Sequence, residues 1–478
     1  MFEDKEGVLK MHKSGKYLPG DLHLHSVLSD GSHTLDDILS KAFTDYKLSW
    51  LGVSDHGGAF KRDTDGNPLI STNPQGIRGE IYGKKGYMWR SQSIIDYGEP
   101  MLNKLRTQYP NKLIIHSVEL NVPPKGHACV AILEDEPNAL ANFEYCFDAM
   151  DLDQSLSLEK NNESYEDAIL AVKYLEKNYS ETSYFIINHP STFKAFSPRF
   201  MRALQDAAPK IVNGFEGIPG HQFRTVRGCY WHENGSDSYL HRTYGGADYF
   251  LAKVGGMWDS LLGEGRRFYV FGNSDFHEAG EKLDPYPGEY TKTYLFFEEL
   301  SKENLLKSIK SGQAFVSTGD LITDLDFYLE SSSSKKTMGS WLLTNERTVN
   351  LRIKVQLGSN QKLHHIDLIT GEVKPQFSPS SKDYDSDENP SAKVYLRINL
   401  TEMQQISEKV YEFRTKLELP YLSGYFRLRG TNLAPSTPYE TDENGNPLID
   451  DSKERPNTKE IALKDTWFYC NPIFYRQY

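Results

Sequence analysis

Cysteine is scarce in this chain. Four occur in 478 residues, at positions 129, 146, 229 and 470. No two are close enough for a CxxC clip, and the set does not read as a disulfide framework. Scattered thiols of this kind suit buried positions in a reducing compartment. Long apolar runs are also missing, so no segment is expected to cross a bilayer as a helix. The opening MFEDKEGVLKMHKSGKYLPG has no apolar stretch of signal-peptide type. A cytoplasmic protein without membrane contact is the expectation, although a chain already relieved of a leader would look the same. Positive charge is in deficit: 54 Lys and Arg stand against 66 Asp and Glu, a formal charge of −12. That weighs against a protein built to follow a nucleic-acid backbone, and no long duplex partner is expected. It does not weigh against a small anionic substrate, because bound metal ions would reverse the local sign. There is no internal repeat of fixed period.

Aromatic residues are plentiful, with 29 Tyr and 24 Phe. They suit large cores and a carbohydrate- or nucleotide-sized cleft. The length predicts two domains or three. The most telling stretch is GDLHLHSVLSDG, Gly20 to Gly31. Residues two apart on a strand share a face, so His23 and His25 project together and Leu22 and Leu24 oppose them. Two imidazoles at a strand end can hold a divalent ion, with Asp30 in the following turn available to another. Two polar residues beside an ordinary turn would give the same letters, and the rest of the chain decides between these readings.

Thr34 then caps a helix whose apolar face is Leu35, Ile38, Leu39, Ala42, Phe43 and Tyr46. WLGVSDHGG is a short strand ending in Asp55 and His56. Residues 57 to 92 show no period and read as a functional excursion. A helix over about 93–108 is disturbed at Pro100. KLIIHSVEL ends in Glu119, and HACVAIL returns as a strand opening with His127. Ser164 caps a helix carrying Ile169, Val172 and Leu175, and YFIIN ends in His189. A short helix near 197–207 leads to IVNGFEG and Glu216. Residues 219–245 form a second excursion, a helix lies around 246–262, and FYVFGNSDFHE ends in Asp275 and His277. Ser301 caps a last helix, and GQAFVSTGD closes the unit. Strands alternating with helices favour parallel strands wrapped by helices, with polar residues gathered at the strands' carboxyl ends, His127 excepted.

From about 322 the pattern turns to period two. SSSSKKTMGS reads as linker or loop. LRIKVQLG, KLHHIDLIT, AKVYLRINL, VYEFRTKLEL and GYFRLRGTN alternate apolar and polar residues, and DTWFYCNPIFY adds one more strand. A β-sandwich is expected there. The domain boundary falls at 320/321, giving domains 1–320 and 321–478.

The strand-end ligand candidates are His23, His25, Asp30, His56, Glu119, His127, His189, Asp275 and His277. Each has a bland reading as a turn or edge residue, but separated segments all ending in His or carboxylate point to metal. The blocks DLHLHSVLSDG, VSDHGG, HSVELNVPPKGHACVAIL, INHPS and GNSDFHE resemble the PHP family, named for polymerase and histidinol-phosphatase enzymes, in its order over about residues 20–280. That resemblance implies a distorted (β/α)7 barrel, followed here by a β-sandwich-like appendage, and three divalent ions, Zn, Mn or Fe. It implies that His23, His25, Glu119 and Asp275 hold one ion, and that Glu119 bridges to a second held by His127 and His189. Asp30, His56 and His277 would hold the third, with Asp30 where some relatives use His. The implied activity is phosphate mono- or diester hydrolysis by a metal-bridging hydroxide on a small anionic substrate.

Other residues get weaker roles. Asp21, Asp55 and Ser274 are candidates to orient imidazoles, and Glu216 to support the site or touch substrate. His33, His221 and His232 are candidate proton donors, with Asp55, Glu216 and His221 forming the catalytic short list. Arg90, Arg224, Arg227 and Lys292 are candidate phosphate grips. The aromatic pairs Tyr87–Trp89 and Tyr230–Trp231 are candidate pocket covers. Hydrolysis of a carboxylic ester, amide or carbamate is an alternative chemistry, and glycan or partner binding by the C-terminal β-domain is an alternative from another class.

Overall fold

Alternating strand and helix patterns become a series of strands whose carboxyl ends converge. The computed structural model describes residues 15–77, 79–81, 84–191, 196–220, 243–280, 284–450 and 464–478. His221, Arg224, Arg227, Cys229, Tyr230, Trp231 and His232 lie outside the described residues.

The first strand, Lys16–Asp21, pairs in parallel with Trp50–Val53, which pairs in parallel with Leu113–His116. The helix between the first two is Leu35–Thr44. Thr34 caps it by accepting the Asp37 N–H, Asp36 and Asp37 favour its positive end, and Leu35, Ile38, Leu39, Ala42 and Phe43 are buried. After Ser117 the chain starts a second sheet with Val118–Asn121. His127–Ile132 returns antiparallel to it, Ser183–Ile187 is antiparallel to 127–132, and Val212–Pro219 and Tyr269–Asn273 follow in parallel. Beyond Asn273 the chain comes back beside the first strand. His25 N–H donates to the Phe276 carbonyl at 2.8 Å and Asp275 N–H to the His23 carbonyl at 2.9 Å. The first and last strands of this series therefore end side by side. The chain is a mixed α/β protein with more strands than helices.

Several elements differ from the sequence reading. The 57–92 excursion holds a small antiparallel sheet of Ala59–Phe60, Gly79–Ile81 and Lys84–Trp89. The helix expected at 93–108 starts earlier, as Arg90–Ser93, passes through a π-turn at Ile94–Gly98 and continues as Glu99–Gln108. Its irregular turn lies just before Pro100, whose ring nitrogen has no hydrogen to donate back to that turn. Asn138–Phe147 is a helix without a side-chain cap, and it gave no start signal in the sequence. The helix expected around 246–262 is two short pieces, Tyr249–Ala252 and Met257–Leu262, interrupted at Gly255 and Gly256.

SSSSKKTMGS is not a free linker. Ile322–Glu330 and Lys335–Thr337 pair antiparallel across it. Thr348–Leu357 is buried on alternate residues, the mark of a one-sided strand. It lies between Ile322–Glu330 and Val410–Glu418 in a five-stranded sheet. The remaining C-terminal strands extend the first sheet. Ala314–Thr318 pairs with Trp467–Cys470, which pairs with Ser423–Thr431, so one eleven-stranded sheet runs through residue 320. Phe327, Ile353, Ile366, Leu428 and Phe468 from the two sheets share one core. The final segment is two strands, Trp467–Cys470 and Ile473–Gln477, interrupted at Asn471–Pro472. A buried ion pair also crosses residue 320. Arg427 bonds Asp259 through Nε at 2.8 Å and Nη2 at 2.6 Å, and the Tyr425 hydroxyl donates to the same carboxylate at 2.7 Å.

Candidate metal centre

The candidate ligands sit at or just beyond strand ends, except Asp30, which is carried by a turn. Leu22 and Leu24 are fully buried, and their alternation leaves His23 and His25 facing the common point. His189 and Asp275 adopt left-handed φ values of 24° and 46°. Such backbone is unfavourable for residues with a Cβ and is held where surrounding structure over-determines it.

Glu119 is the hub. One carboxylate oxygen, Oε1, lies 3.1 Å from His23 Nε2, 3.2 Å from His127 Nδ1 and 3.4 Å from His189 Nε2. The other, Oε2, lies 3.2 Å from His25 Nε2 and 3.0 Å from His56 Nδ1. Asp275 Oδ1 closes the group at 3.0 Å from His23 Nε2 and 3.1 Å from His25 Nε2. On the solvent side, Asp30 stands 3.4 Å from His277 Nε2, 3.7 Å from His56 Nε2 and 3.6 Å from His25 Nδ1.

Among the described residues, three groups have ligand atoms all within 4.8 Å of one another: His23, His25, Glu119 and Asp275; His25, Asp30, His56 and His277; and His56, Glu119 and His127. The first two contain every member of two expected sets, and His25 also joins the second. In the third, His56 stands where His189 was expected. His189 still faces Glu119, and its Nε2 is 3.9 Å from Asp275 Oδ2.

The donor set fits divalent ions. Nε2 of His23 and Nε2 of His25 are 3.0 Å apart, and both point at the same two carboxylates. Nδ1 of His56 and Nδ1 of His127 are buried yet make no hydrogen bond of good geometry, although each is close to Glu119. Nitrogens aimed at shared oxygens without bonding them well are arranged for a cation between them.

Electrostatics without a cation show the same concentration of charge. Burial pushes the Glu119 carboxyl up, but His23, His127 and His56 overcome it and hold the group well below the usual range. Asp30, on the exposed side, is likewise held well down, because His56 and His277 outweigh its partial desolvation. Burial opposes charge on His56, yet Glu119 and Asp30 raise it to about 10. His23, His25 and His189 are raised too, against burial, with Asp275 and Glu119 prominent among the causes. At His127 burial prevails, and the imidazole is lowered.

Glu216, a candidate to support the site or touch substrate, is joined by supports that had no assigned role. Glu216 is fully buried. Its Oε1 is 3.1 Å from His23 Nδ1, and its Oε2 accepts the His189 N–H at 3.1 Å. With Nδ1–H given to Glu216, His23 presents Nε2 to the centre. His277 Nδ1 is similarly engaged by the Asp275 carbonyl at 2.8 Å, leaving Nε2 toward Asp30. Asn188, to which the sequence reading gave no role, donates to Glu119 Oε1 at 2.8 Å and accepts the Cys129 N–H at 3.1 Å. Its only sequence signal was its place just before His189. Asp284, also unforeseen, accepts the His277 N–H at 2.8 Å.

Asp21 and Ser274 hold backbone rather than imidazoles. Asp21 accepts the N–H groups of His23 and Ser274, and Ser274 Oγ donates to the His23 carbonyl. Burial raises Asp21 to about 7. Asp55 accepts from Ser26 N at 2.7 Å, Ser26 Oγ at 2.8 Å and Ser29 Oγ at 2.6 Å. It fixes the turn that carries Asp30. Arg90 is buried with Nε on the His56 carbonyl and Nη2 on the Leu28 carbonyl, both at 2.6 Å. It is a strut between loops and has no free face for phosphate. Lys292 pairs with Asp320 at 2.7 Å, away from this centre. His33 Nε2 accepts the Ala279 N–H at 3.2 Å, so that nitrogen is engaged. Trp89 and Met88 are buried, and Trp89 is in the strand that carries Tyr87.

No family model matches the chain, and no curated protein matches it. Among solved structures, a two-domain protein from Bacteroides vulgatus ATCC 8482, described as containing a predicted PHP-like metal-dependent phosphoesterase, aligns with 94% of this chain and 98% of its own at 12% identity and a TM-score of 0.39. A likeness so distant leaves the functional reading to the residues themselves. Among the described residues no helix is long and apolar enough to cross a membrane.

Proposed function

We propose that this chain is a metal-dependent phosphoesterase whose centre holds three divalent ions. The observation that carries the reading is the single convergence of nine His, Asp and Glu side chains around Glu119 and Asp30. His23, His25, Glu119 and Asp275 are the best-formed set. Asp30, His56 and His277 would hold a second ion, with His25 in reach. Glu119, His127 and His189 would hold the third, with His56 close by. The ring of strands ending at this point is read as a distorted (β/α)7 barrel, and residues 321–478 as a sandwich-like domain sharing its sheet.

When bound, such ions lower the pKa of a water ligand to about 7 and neutralise charge on phosphoryl oxygens. The chain's own residues supply the rest. Glu216 fixes the ring of His23, the Asp275 carbonyl fixes that of His277, and Asn188 fixes the carboxylate of Glu119. Asp55 and Arg90 hold the backbone of the Ser26–Ser29 turn and of His56. Four carboxylates meet here when Glu216 is counted, so three divalent ions would leave a net charge of about +2. That field favours a small anionic substrate in a protein of formal charge −12.

Metal analysis of the purified protein, run beside a panel of phosphomonoesters, phosphodiesters and neutral esters, tests the reading. Metal-dependent turnover of the phosphates but not the neutral esters is expected. Turnover of neutral esters alone would move the assignment to ester or amide hydrolysis, and hydrolysis that survives complete metal removal would end it.

A further inference from the structure

Behind the centre lies a second group of acids that the proposed chemistry does not use. Glu144, on the Asn138–Phe147 helix, is fully buried, as are Asp148 and Asp151 in the turn that follows. Glu144 Oε1 accepts the Gly58 N–H at 2.7 Å. Asp148 Oδ2 accepts the Asn121 N–H at 2.8 Å, and Oδ1 accepts the Met150 N–H at 2.8 Å. Asp151 Oδ1 takes Lys160 Nζ at 2.8 Å and the Asp153 N–H at 2.7 Å.

Two oxygens remain. Glu144 Oε2 and Asp151 Oδ2 are buried and receive no hydrogen bond from any N–H or O–H donor. They belong to carboxyl groups in hydrogen-bonding range of each other. Two carboxylate oxygens are both acceptors, so this contact is satisfied only when a proton lies between them. We infer that Glu144 and Asp151 share one proton, and that this proton locks the turn following His56 against the strand carrying Glu119.

The surroundings favour a proton there. The charged and titratable groups facing Glu144 are Asp148 and Asp151 from the turn, Asp153 and Lys160 from the loop beyond, and Arg90 from the neighbouring helix. Lys160 is bonded to Asp151 and stands over the Tyr145 ring. Arg90 directs its donors to the His56 and Leu28 carbonyls and to Ser93 Oγ. Three acids therefore share one directly bonded cation. Burial is the main force raising all three; the neighbouring acids add to it at Glu144 and Asp148, and Asp148 reaches about 7.

The lock bears directly on two loops. Gly57 has no room for a side chain: a Cβ would fall 1.8 Å from Asp148 Oδ2. Gly57 N–H donates to the Glu119 carbonyl at 2.8 Å. The acids thus clamp the backbone after His56 on one side and after Glu119 on the other. Loss of the shared proton at alkaline pH puts a second charge into this buried space and loosens the clamp. The effect on metal retention rests on the proposed function, but the proton itself does not.

The test compares wild type with Glu144→Gln on metal-stripped, full-length protein. The glutamine amide can donate to Asp151 while its oxygen keeps the Gly58 N–H, which mimics the protonated state. A proton held in the fold but released on unfolding makes the unfolding constant rise about tenfold per pH unit until the group ionises. The wild type is expected to show that extra slope above the carboxylate range, relative to Glu144→Gln. Its infrared difference spectrum against Glu144→Gln at neutral pH should show a protonated-carboxyl band. Asp151→Asn serves in the same way where Glu144→Gln folds poorly, and the infrared band can also be sought on wild type by its shift in heavy water. Parallel pH slopes, or no protonated-carboxyl band at neutral pH, overturn the inference whatever the metal assays report.

Discussion

Glu216→Gln offers a sharp test of how the centre is held. The carboxylate uses both oxygens, one at 3.1 Å from His23 Nδ1 and one on the His189 N–H at 3.1 Å. A glutamine of the same shape has a single acceptor. If its oxygen faces His23, its amide hydrogens meet the His189 N–H, and two donors confront each other in a fully buried place. One unmet buried donor costs about 1–3 kcal/mol of stability. Loss of the negative charge also makes His23 a poorer base. Replacing a carboxylate behind a ligating imidazole typically lowers metal affinity about 10–100-fold, or about 1.4–2.8 kcal/mol. The assay is competition against a chromophoric chelator, with chemical denaturation of the stripped protein in parallel. Glu216→Asp is expected to fail similarly, because the shorter side chain cannot reach both partners. A Glu216→Gln protein that binds metal within about twofold of wild type and unfolds at the same denaturant concentration would refute the role given to Glu216.

Other outcomes follow from the same contacts. Carboxylates raise His23, His25, His56 and His189 against their burial, His56 to about 10. Their stabilising charge in the stripped protein is fully present below the ordinary histidine range and is lost as pH rises toward about 10. Ions must displace those protons, so apparent metal affinity should climb with pH over the same window, with proton release visible in weakly buffered titrations; affinity that is flat with pH would contradict this. His25→Ala and Asp275→Ala should each abolish metal-dependent activity while leaving the fold intact by circular dichroism. Arg427→Met should cost about 3–5 kcal/mol by leaving Asp259 buried without its counter-charge, and adding Asp259→Leu should recover part of it, the Tyr425 hydroxyl and Gly255 N–H then losing their acceptor; a double variant clearly less stable than the single would show that the buried charge is not the cause. Ending the chain at residue 320 should give insoluble protein, because Ala314–Thr318 would lose its partner Trp467–Cys470; a fragment that melts cooperatively would show that the shared sheet is dispensable.

Much of the centre was legible because strand-end residues are read by local rules. The period of two in LHLH set which side His23 and His25 face, and capping chemistry located the helices after Thr34, Ser164 and Ser301. The supporting shell was less legible. Glu216 stood out by its place near a strand end, but its partner His23 lies 193 positions away and that of Asn188, Glu119, lies 69 away, and nothing local distinguishes a carboxylate aimed at an imidazole from one aimed at water. Arg90 illustrates the same limit. An arginine in a glycine-rich excursion suggested an anion grip, yet its donors are consumed largely by backbone carbonyls. Asn138–Phe147 escaped notice because it lacks a cap, and with it went the acids behind the centre. The continuity of the sheet across residue 320 was hidden for a different reason. Period two reveals a strand but not its neighbour, and pairing over long separations has no sequence signature.

That continuity has a consequence for how the molecule is made. Trp467–Cys470 lies between Ala314–Thr318 and Ser423–Thr431, and Trp467 N–H bonds Thr318 Oγ1 across 149 positions. Until that late segment arrives, the 314–318 strand is an open, apolar edge on a half-built sheet. Closing so long a loop is slow, and unpaired edges of this kind recruit neighbouring chains. Refolding yield should therefore depend steeply on protein concentration, and a nascent chain would be most vulnerable to aggregation before Trp467–Cys470 has left the ribosome.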